Sequence, residues 1–475
     1  MARMRFSSSK YIASEISLLP HRGKKWAARA AAIFPNSYPN GMSNLGFLTL
    51  FSVMHDFPQL LPQRFFFGLT GSLEEGANLS AFPIIAVSIP YEMDYFNLIS
   101  ILRQNEIAIY AQERRKRIII VGGAATTINP IPISKIADAI FIGQGREFIS
   151  DIISVLANNP PGTVQKDAIL NELSQISGVW VPASGKPIPE RAYSSEEQPL
   201  TSPIVSSFAS FPNMALVQIQ QGCPYDCPFC ATPKIYNPFI NFTADAVIDK
   251  LSMWQGKIFR VGLVGSAIAE HPELRTIVES LATKGIEVST SSLRIDRRKK
   301  SIIDALMLSK QRTVTFAPEA GSYRMKKAIG KKIYPEDVVW ATEMLGANEV
   351  KLYYIIGLPE ETNEDVSAIA DEVQRIIQNL PKQRITISVN AFIPKRRTRW
   401  ETEKMMAHSE IVSRFRILAS LLGKFANVRL NVNYKRRMRL QWALSCGGEE
   451  IADALANAKN YADFAKQIRK NGWDV

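Results

Sequence analysis

Three of the four cysteines in this 475-residue chain, Cys223, Cys227 and Cys230, fall in one stretch, QIQQGCPYDCPFCATPKIY, which begins at Gln218. Thiolates are soft ligands for zinc, copper(I) and iron–sulfur clusters, so the spacing C-x3-C-x2-C raises a metal question first. A structural zinc site closes with four ligands, usually in two pairs. None of the four histidines, His21, His55, His271 and His408, is near the motif in sequence. A [4Fe–4S] cluster is the better physical match, because thiolate is its usual ligand and three cysteines leave one iron open to a cosubstrate. So few cysteines, with three of them clustered, do not make a disulfide framework. The fourth, Cys446, stands far downstream in LQWALSCGGEE.

The elements that must carry this motif repeat a strand–helix alternation, which places the chain in the α/β class. Over residues 25–160, AARAAAIF, AFPIIAVSI, RIIIVGG and ADAIFIG read as strands, while NLGFLTLFSVMHDF and REFISDIISVLAN read as helices. Such alternation predicts a parallel sheet in a doubly wound, Rossmann-like layer. Residues 161–205, with PASGKP and SSEEQP, read as a linker rich in Pro, Ser and Gly. A second alternation begins at MALVQIQQG and continues through FRVGLVG, GIEVSTSSL, TVTFAPEAG, EVKLYYIIGLP and RITISVNAF. Six strand–helix units over residues 206–398 suit a partial (β/α)6 barrel, whose ligands bind at the carboxyl ends of the strands. Residues 399–475 read as mainly helical, and residues 1–24 as an N-terminal extension.

The composition, 46% hydrophobic and 21% charged, is that of a globular protein with two or three domains and excludes collagen-like or disordered chains. No apolar run is long enough to cross a bilayer. The basic, serine-rich N-terminus lacks the apolar core of a secretion signal, so the cytoplasm is the expected location. The formal net charge is +13. Basic runs stand at ERRKR (113–117), RIDRRKK (294–300), PKRRTR (394–399) and YKRRMR (434–439). Such a surface suits nucleic acid, phosphorylated metabolites or an anionic membrane face, or is simply a solvated basic exterior.

The cysteine motif at the end of a first barrel strand resembles that of the radical S-adenosylmethionine (SAM) superfamily, over residues 211–394. The resemblance implies a [4Fe–4S] cluster held by Cys223, Cys227 and Cys230, with the amino and carboxylate groups of SAM on the open iron. One electron then cleaves SAM to methionine and a 5′-deoxyadenosyl radical. An external donor such as flavodoxin or ferredoxin would supply it. The same resemblance puts Phe229 beside the adenine, and Gly265 and Ser266 of VGLVGSA in a small turn at the SAM amino group. Ser292 and Arg294 of STSSLRID follow the third strand, where Arg294 would pair with the SAM carboxylate through two hydrogen bonds. Glu319 of FAPEAGS would accept a ribose hydroxyl, and Gly357 of IIGLPEET would flank the adenine. Singly, an arginine or glutamate after a strand is an ordinary surface residue; their order behind the cysteines ties them together.

Four segments nearer the N-terminus, FPNSYPNGMSNLG (34–46), SIPYEMDYFNL (88–98), GGAATTINP (122–130) and IGQGRE (142–147), resemble the cobalamin-binding-type domain of a large radical SAM subclass. There Gly122, Gly123, Gly143 and Gly145 would let a corrin or its nucleotide tail approach the backbone. The chain departs from the Asp-x-His-x-x-Gly pattern that ligates cobalt, since His55 precedes Asp56 inside a predicted helix. Two readings follow: cobalamin held without histidine, or a domain that only shapes the substrate cleft. With cobalamin the implied reaction is methyl transfer to an unactivated carbon. Without it, the barrel would carry out rearrangement, cyclisation or C–C bond formation. Modification of tRNA or rRNA is a further reading of the basic surface, as is an anionic small-molecule substrate. Cys446 reads either as a small residue at a helix end capped by Gly447 and Gly448, or as a catalytic thiol at the barrel mouth.

Overall fold

A computed structural model describes residues 8–20, 26–194, 198–290, 292–294, 300–308 and 312–475. Parts of the N-terminal extension, His21, residues 195–197 of SSEEQP and residues 295–299 of RIDRRKK lie outside the described residues. The chain divides into two compact units: residues up to 216 together with 443–473 and 475, and residues 217–442 with 474.

The first unit is built on a six-stranded sheet: β1 Ala28–Phe34, β2 Leu60–Phe66, β3 Ile84–Ser88, β4 Ile118–Gly122, β5 Ala139–Phe141 and β6 Val179–Trp180. Their spatial order is β2-β1-β3-β4-β5-β6, with β1 to β5 parallel and β6 antiparallel. This is a doubly wound order, whose direction reverses between β1 and β3. ARAAAIF is almost wholly buried because a parallel strand is covered on both faces, and its alanines let neighbouring layers approach. The helix Leu45–Asp56 starts where Asn44 accepts the Phe47 N–H at 2.9 Å, an N-cap that satisfies an otherwise orphaned donor.

Residues 161–205 are more ordered than their composition suggests. They carry the helix Lys166–Leu173, whose Ile169, Leu170 and Leu173 are buried, and the edge strand β6. Ile204–Ser206 pairs antiparallel with Glu15–Ser17 of the N-terminal extension. Residues 443–473 also join this unit: Phe96 packs its ring against Tyr461 and Phe464, with centroids 4.4 and 5.1 Å apart.

The second unit carries β7 Ala215–Gln218, β8 Arg260–Val264 and β9 Glu287–Thr290 in one sheet, ordered β9-β8-β7. A second sheet holds β10 Thr313–Glu319, β11 Glu349–Ile356, β12 Arg384–Ala391 and β13 Val428–Asn433, all parallel. A single parallel bridge, Leu293 to Phe316, joins the two sheets, with the Leu293 N–H donating to Thr315 O at 2.8 Å. Among the described residues the arc stays open, with β7 and β13 as its edges. The strand β13 falls where helix was expected, because VRLNVN alternates apolar and polar residues with the period of a strand. Helices cover the outer face. Tyr354 donates to Glu372 of the helix Asn363–Asn379 at 2.8 Å, and Glu372 also pairs with buried Lys326 at 2.8 Å.

Candidate functional site

From β7 the chain runs through Gln220–Gln221, paired antiparallel with Ile240–Asn241, into Gly222. Gly222 has φ +69°, and a Cβ there would stand 2.2 Å from the Tyr236 carbonyl oxygen, so no other residue fits the turn. The loop that follows holds all three clustered cysteines, each half-buried, and closes where the Cys230 N–H donates to Cys227 O at 3.0 Å. It is clamped from a distant segment. Arg399 Nη2 donates to Asp226 O at 2.8 Å, and the Trp400 N–H donates to Pro228 O at 3.2 Å. Arg399 and Trp400 are functional supports that sequence reasoning missed, since nothing local links them to the loop.

Burial pushes the Cys223 and Cys227 thiols up, as does the charge of the neighbouring thiols, while Arg294 and Lys331 pull them down. Three mutually sensed thiols beside two cations form a donor set suited to an anionic, thiolate-held cluster. Among the described residues, no three His, Cys, Asp or Glu side chains are grouped as ligands of a single metal ion. A four-iron cube takes one thiolate at each of its separated corners, so tight convergence is not what it requires.

Of the residues expected on the SAM side, Arg294 reaches this loop directly and Gly265 adjoins the strand pair that leads into it. The Arg294 guanidinium lies over the Tyr225 ring, 3.5 Å from its centroid, and Nη2 donates to Gly330 O at 2.8 Å. Tyr225 in turn donates to Glu270 Oε1. Gly265 sits against Gln220: a Cβ would lie 2.8 Å from Gln220 Oε1, which accepts the Ala267 N–H at 3.2 Å. Ser266 beside it is exposed, and Ser292 is half-buried next to the Leu293 bridge. Glu319 ends β10 at φ +67°, after a register shift in that strand. Burial pushes its carboxyl pKa up, and Lys331, 3.4 Å away, opposes that shift. Lys331 was not singled out in the sequence, although it touches both Glu319 and the field at the cysteines.

Phe229 packs against the cluster of Ala320, Met325, Ile329, Leu358 and Phe392, together with Ile355 and Trp400. The two segments expected near an adenine therefore meet at Phe229. Gly357 takes φ +85° and donates its N–H to Glu361 Oε2 at 2.7 Å, and Arg414 donates to the same oxygen at 2.6 Å. Burial pushes the Glu361 carboxyl up to about 7, against the pull of those two bonds.

Two family descriptions match the chain: "Radical SAM proteins, N-terminal" over residues 46–182 and "Radical SAM superfamily" over residues 217–373. The chain belongs to the radical SAM superfamily. It is therefore an enzyme of a family whose cofactors are a [4Fe–4S] cluster and SAM. It is 25% identical to the uncharacterized protein MJ0966 of Methanocaldococcus jannaschii, covering 94% of this chain and 95% of that one. It is also 25% identical to the uncharacterized methyltransferase PH0819 of Pyrococcus horikoshii, covering 53% of this chain and 56% of that one. Among solved structures it resembles the radical SAM methyltransferase TsrM from Kitasatospora setae, with cobalamin and [4Fe–4S] cluster bound. That likeness has a TM-score of 0.52 and 11% identity, covers 76% of this chain and 75% of TsrM, and shows the fold.

In the first unit of this radical SAM protein, the expected glycines stand at the carboxyl ends of β4 and β5. Their conformations are accounted for by protein neighbours. A Cβ on Gly123 (φ +121°) would meet the Ile89 carbonyl oxygen at 2.5 Å, and one on Gly143 (φ +148°) would meet that of Ala192 at 2.4 Å. A Cβ on Gly145 would lie 2.8 Å from the Phe148 ring, while one on Gly122 would meet only ordinary contact distances. His55 bonds Phe51 O within its own helix, at 3.0 Å. At the β1/β3 reversal Asn36 donates to Asp94 Oδ1 at 2.8 Å, and burial pushes the Asp94 carboxyl up to about 6.

The residues flanking Cys446, which reads either as a small residue at a helix end or as a thiol at the barrel mouth, are bonded within this first unit. Ser445 donates to buried Glu92 at 2.8 Å, and Asn129 Nδ2 donates to Gly447 O at 2.8 Å. A Cβ on Gly447 would lie 2.1 Å from Ile451 Cγ1, so this glycine is required by the next helix, Glu449–Asn457. No histidine or glycine pattern anticipates these contacts, because they join residues more than 300 positions apart.

Proposed function

We propose that this radical SAM enzyme transfers a methyl group from cobalamin to an unactivated carbon, with its [4Fe–4S] cluster held by Cys223, Cys227 and Cys230. The observation that carries the reading is the three-thiol loop, half-buried and faced by Arg294 and Lys331, at the carboxyl rim of a parallel arc. Support for the methyl group comes from the doubly wound first unit and from the likeness to TsrM and PH0819, both called methyltransferases. When bound, the cluster and SAM supply a hydrogen-abstracting deoxyadenosyl group, and cobalamin supplies the methyl.

The chain's own residues position and shield. Arg294 supplies a cation to the SAM carboxylate, and Ser292 lies beside it. Gly265 and Ser266 present a small turn to the SAM amino group. Glu319 accepts from the ribose, and Lys331, 3.4 Å away, opposes the upward push of burial on its carboxyl. Phe229, with the apolar cluster behind it, covers the adenine and excludes water, and Gly357 forms the turn on its other side. In the first unit, the turns at Gly122, Gly123, Gly143 and Gly145 border the crevice offered to the corrin. Among the described residues of that unit, His55 is bonded to Phe51 O within its own helix and offers no ligand to cobalt. Electrons come from a cytoplasmic flavodoxin or ferredoxin. No helix among the described residues is long and apolar enough to cross a membrane.

The test is anaerobic reconstitution with iron, sulfide and cobalamin. Retained cobalamin whose paramagnetic resonance shows no histidine nitrogen is the expected result. A protein that takes up the cluster but no cobalamin would leave the methyl without a donor and overturn the methyl-transfer reading.

A further inference from the structure

The positive charge of the second unit is concentrated by its topology. In a parallel arc every strand points the same way, so segments leaving carboxyl ends gather at one rim. PKRRTR (394–399) follows β12 and YKRRMR (434–439) follows β13, and these two strands are paired neighbours. Arg294 begins a third basic run after β9 and reaches Tyr225 of the cysteine loop. ERRKR belongs to the first unit, ahead of β4.

Four carboxylates of this unit have cations. Asp226 pairs with Lys234 at 3.0 Å, Glu361 with Arg414 at 2.6 Å, Asp474 with Arg439 at 2.6 Å and Glu319 with Lys331 at 3.4 Å. Arg397 is half-buried at φ +68°, and its N–H donates to Glu401 Oε2 at 2.6 Å; burial and then adjacent Arg396 push its pKa down, while Glu401 pulls it up. Lys435 and Arg436 are exposed.

Below the rim lies a neutral, hydrogen-bonding face. Val350, Leu352, Tyr354 and Ile356 of β11 are buried on the helix side, so the alternate residues face the inside of the arc. Register sets Tyr353, Ser388 and Asn431 in one row, and Ile355, Asn390 and Asn433 in the next. Ile355 packs in the same cluster as Phe229, so the second row adjoins the cysteine loop.

We propose that this rim and face bind the substrate and that the substrate is a small phosphorylated molecule. Arg397, Lys435 and Arg436 take its phosphate, and Ser388, Asn390 and Asn433 hydrogen-bond a polar, uncharged body held beside the cluster loop. The proposal rests on the radical SAM reading only for what happens to the substrate once bound. A small ligand fits better than RNA because Tyr434, the aromatic of its basic run, is already stacked on Phe415 with centroids 5.9 Å apart, and RNA recognition relies on open stacking surfaces.

The experiment titrates inorganic pyrophosphate into full-length reconstituted protein at constant ionic strength and follows the thermal midpoint. A saturable rise is expected in the wild type. It should weaken about tenfold or more in the double variant Arg397→Gln/Arg436→Gln, as loss of charge-assisted hydrogen bonds implies. The double variant Arg115→Gln/Lys116→Gln removes equal charge from the first unit and should respond like the wild type. An equal response to acetate, or an undiminished response in the rim variant, would overturn the site. So would a short single-stranded RNA that binds more tightly than pyrophosphate and loses affinity in the same rim variant. Iron–sulfur absorbance of the same wild-type preparation reports on the family chemistry separately, so a normal cluster with no pyrophosphate effect overturns this proposal alone.

Discussion

The cysteine loop of the second unit and the glycine turns of the first both sit at the carboxyl ends of parallel strands, yet they are built differently. Around the loop, glycine and clamp shape a turn that leaves three thiols half-exposed beside cations. In the first unit, Gly123 and Gly143 have their Cβ directions filled by the carbonyls of Ile89 and Ala192, while Asn36 bonds Asp94 and Ser445 bonds Glu92. A glycine turn is thus explained by packing before any ligand is invoked, whereas three close thiols beside Arg and Lys have no such packing explanation.

The largest expected effect separates the two regions outright. Replacing Cys223, Cys227 and Cys230 together by alanine should take iron from about four per chain to none and abolish the visible absorbance. Stoichiometric zinc in the wild type, or iron kept by the triple variant, would remove the chemical contrast.

Next comes a matched pair of glycines. Gly222→Ala and Gly123→Ala each force a Cβ onto a backbone carbonyl at a positive φ, and each should cost about 2–4 kcal/mol in denaturant unfolding. They should differ in iron content: the Gly222 variant loses the cluster and the Gly123 variant keeps it. Equal loss of iron would mean that the first unit's turns also hold the loop together.

A third expectation concerns charge in each region. Arg294→Ala should weaken SAM binding by about 1.5–3 kcal/mol, roughly tenfold to a hundredfold, measured by equilibrium dialysis. In the first unit, Asp94 has a folded pKa of about 6, raised from 3.8, so it binds a proton more tightly when folded. Its contribution is present below about pH 4 and lost as pH rises through about 6, amounting to at most about 3 kcal/mol. The stability of Asp94→Asn relative to wild type should therefore improve across that window, and parallel pH curves would refute the assignment.

The smallest effect belongs to Cys446→Ala. Cluster content and SAM cleavage should stay as in the wild type, with stability changed by about 1 kcal/mol or less. A fall in iron with this variant alone would show the three-cysteine assignment to be incomplete. Loss of product on the true substrate, with SAM cleavage intact, would give the thiol a catalytic part.

Much of the fold could be read from sequence, because alternating apolar runs and 3.6-residue periodicity are local signals. The cysteine triplet could be read for the same reason: its chemistry depends on side-chain type and short spacing. Gly265, Glu319 and Gly357 could be proposed only through their order behind it, and Phe229 through its place within it; Ala320, Ile355 and Leu358 of the last two segments pack with Phe229. The strand VRLNVN was hidden by the helical pattern on either side of it. The helix Lys166–Leu173 was hidden by the proline and serine around it.

By itself the sequence determined two α/β layers, a thiol site after a strand, and a strong positive charge. Tertiary structure alone decided that Lys331 meets Glu319, that Arg399 and Trp400 clamp the loop, and that residues 443–473 belong with the first unit. It also decided that two basic runs share a rim, since their meeting depends on the neighbouring positions of β12 and β13. The physical reason is the range of the interactions: spacing along the chain dictates periodicity and local ligand sets, while contacts between distant segments exist only once strand order and register bring them together.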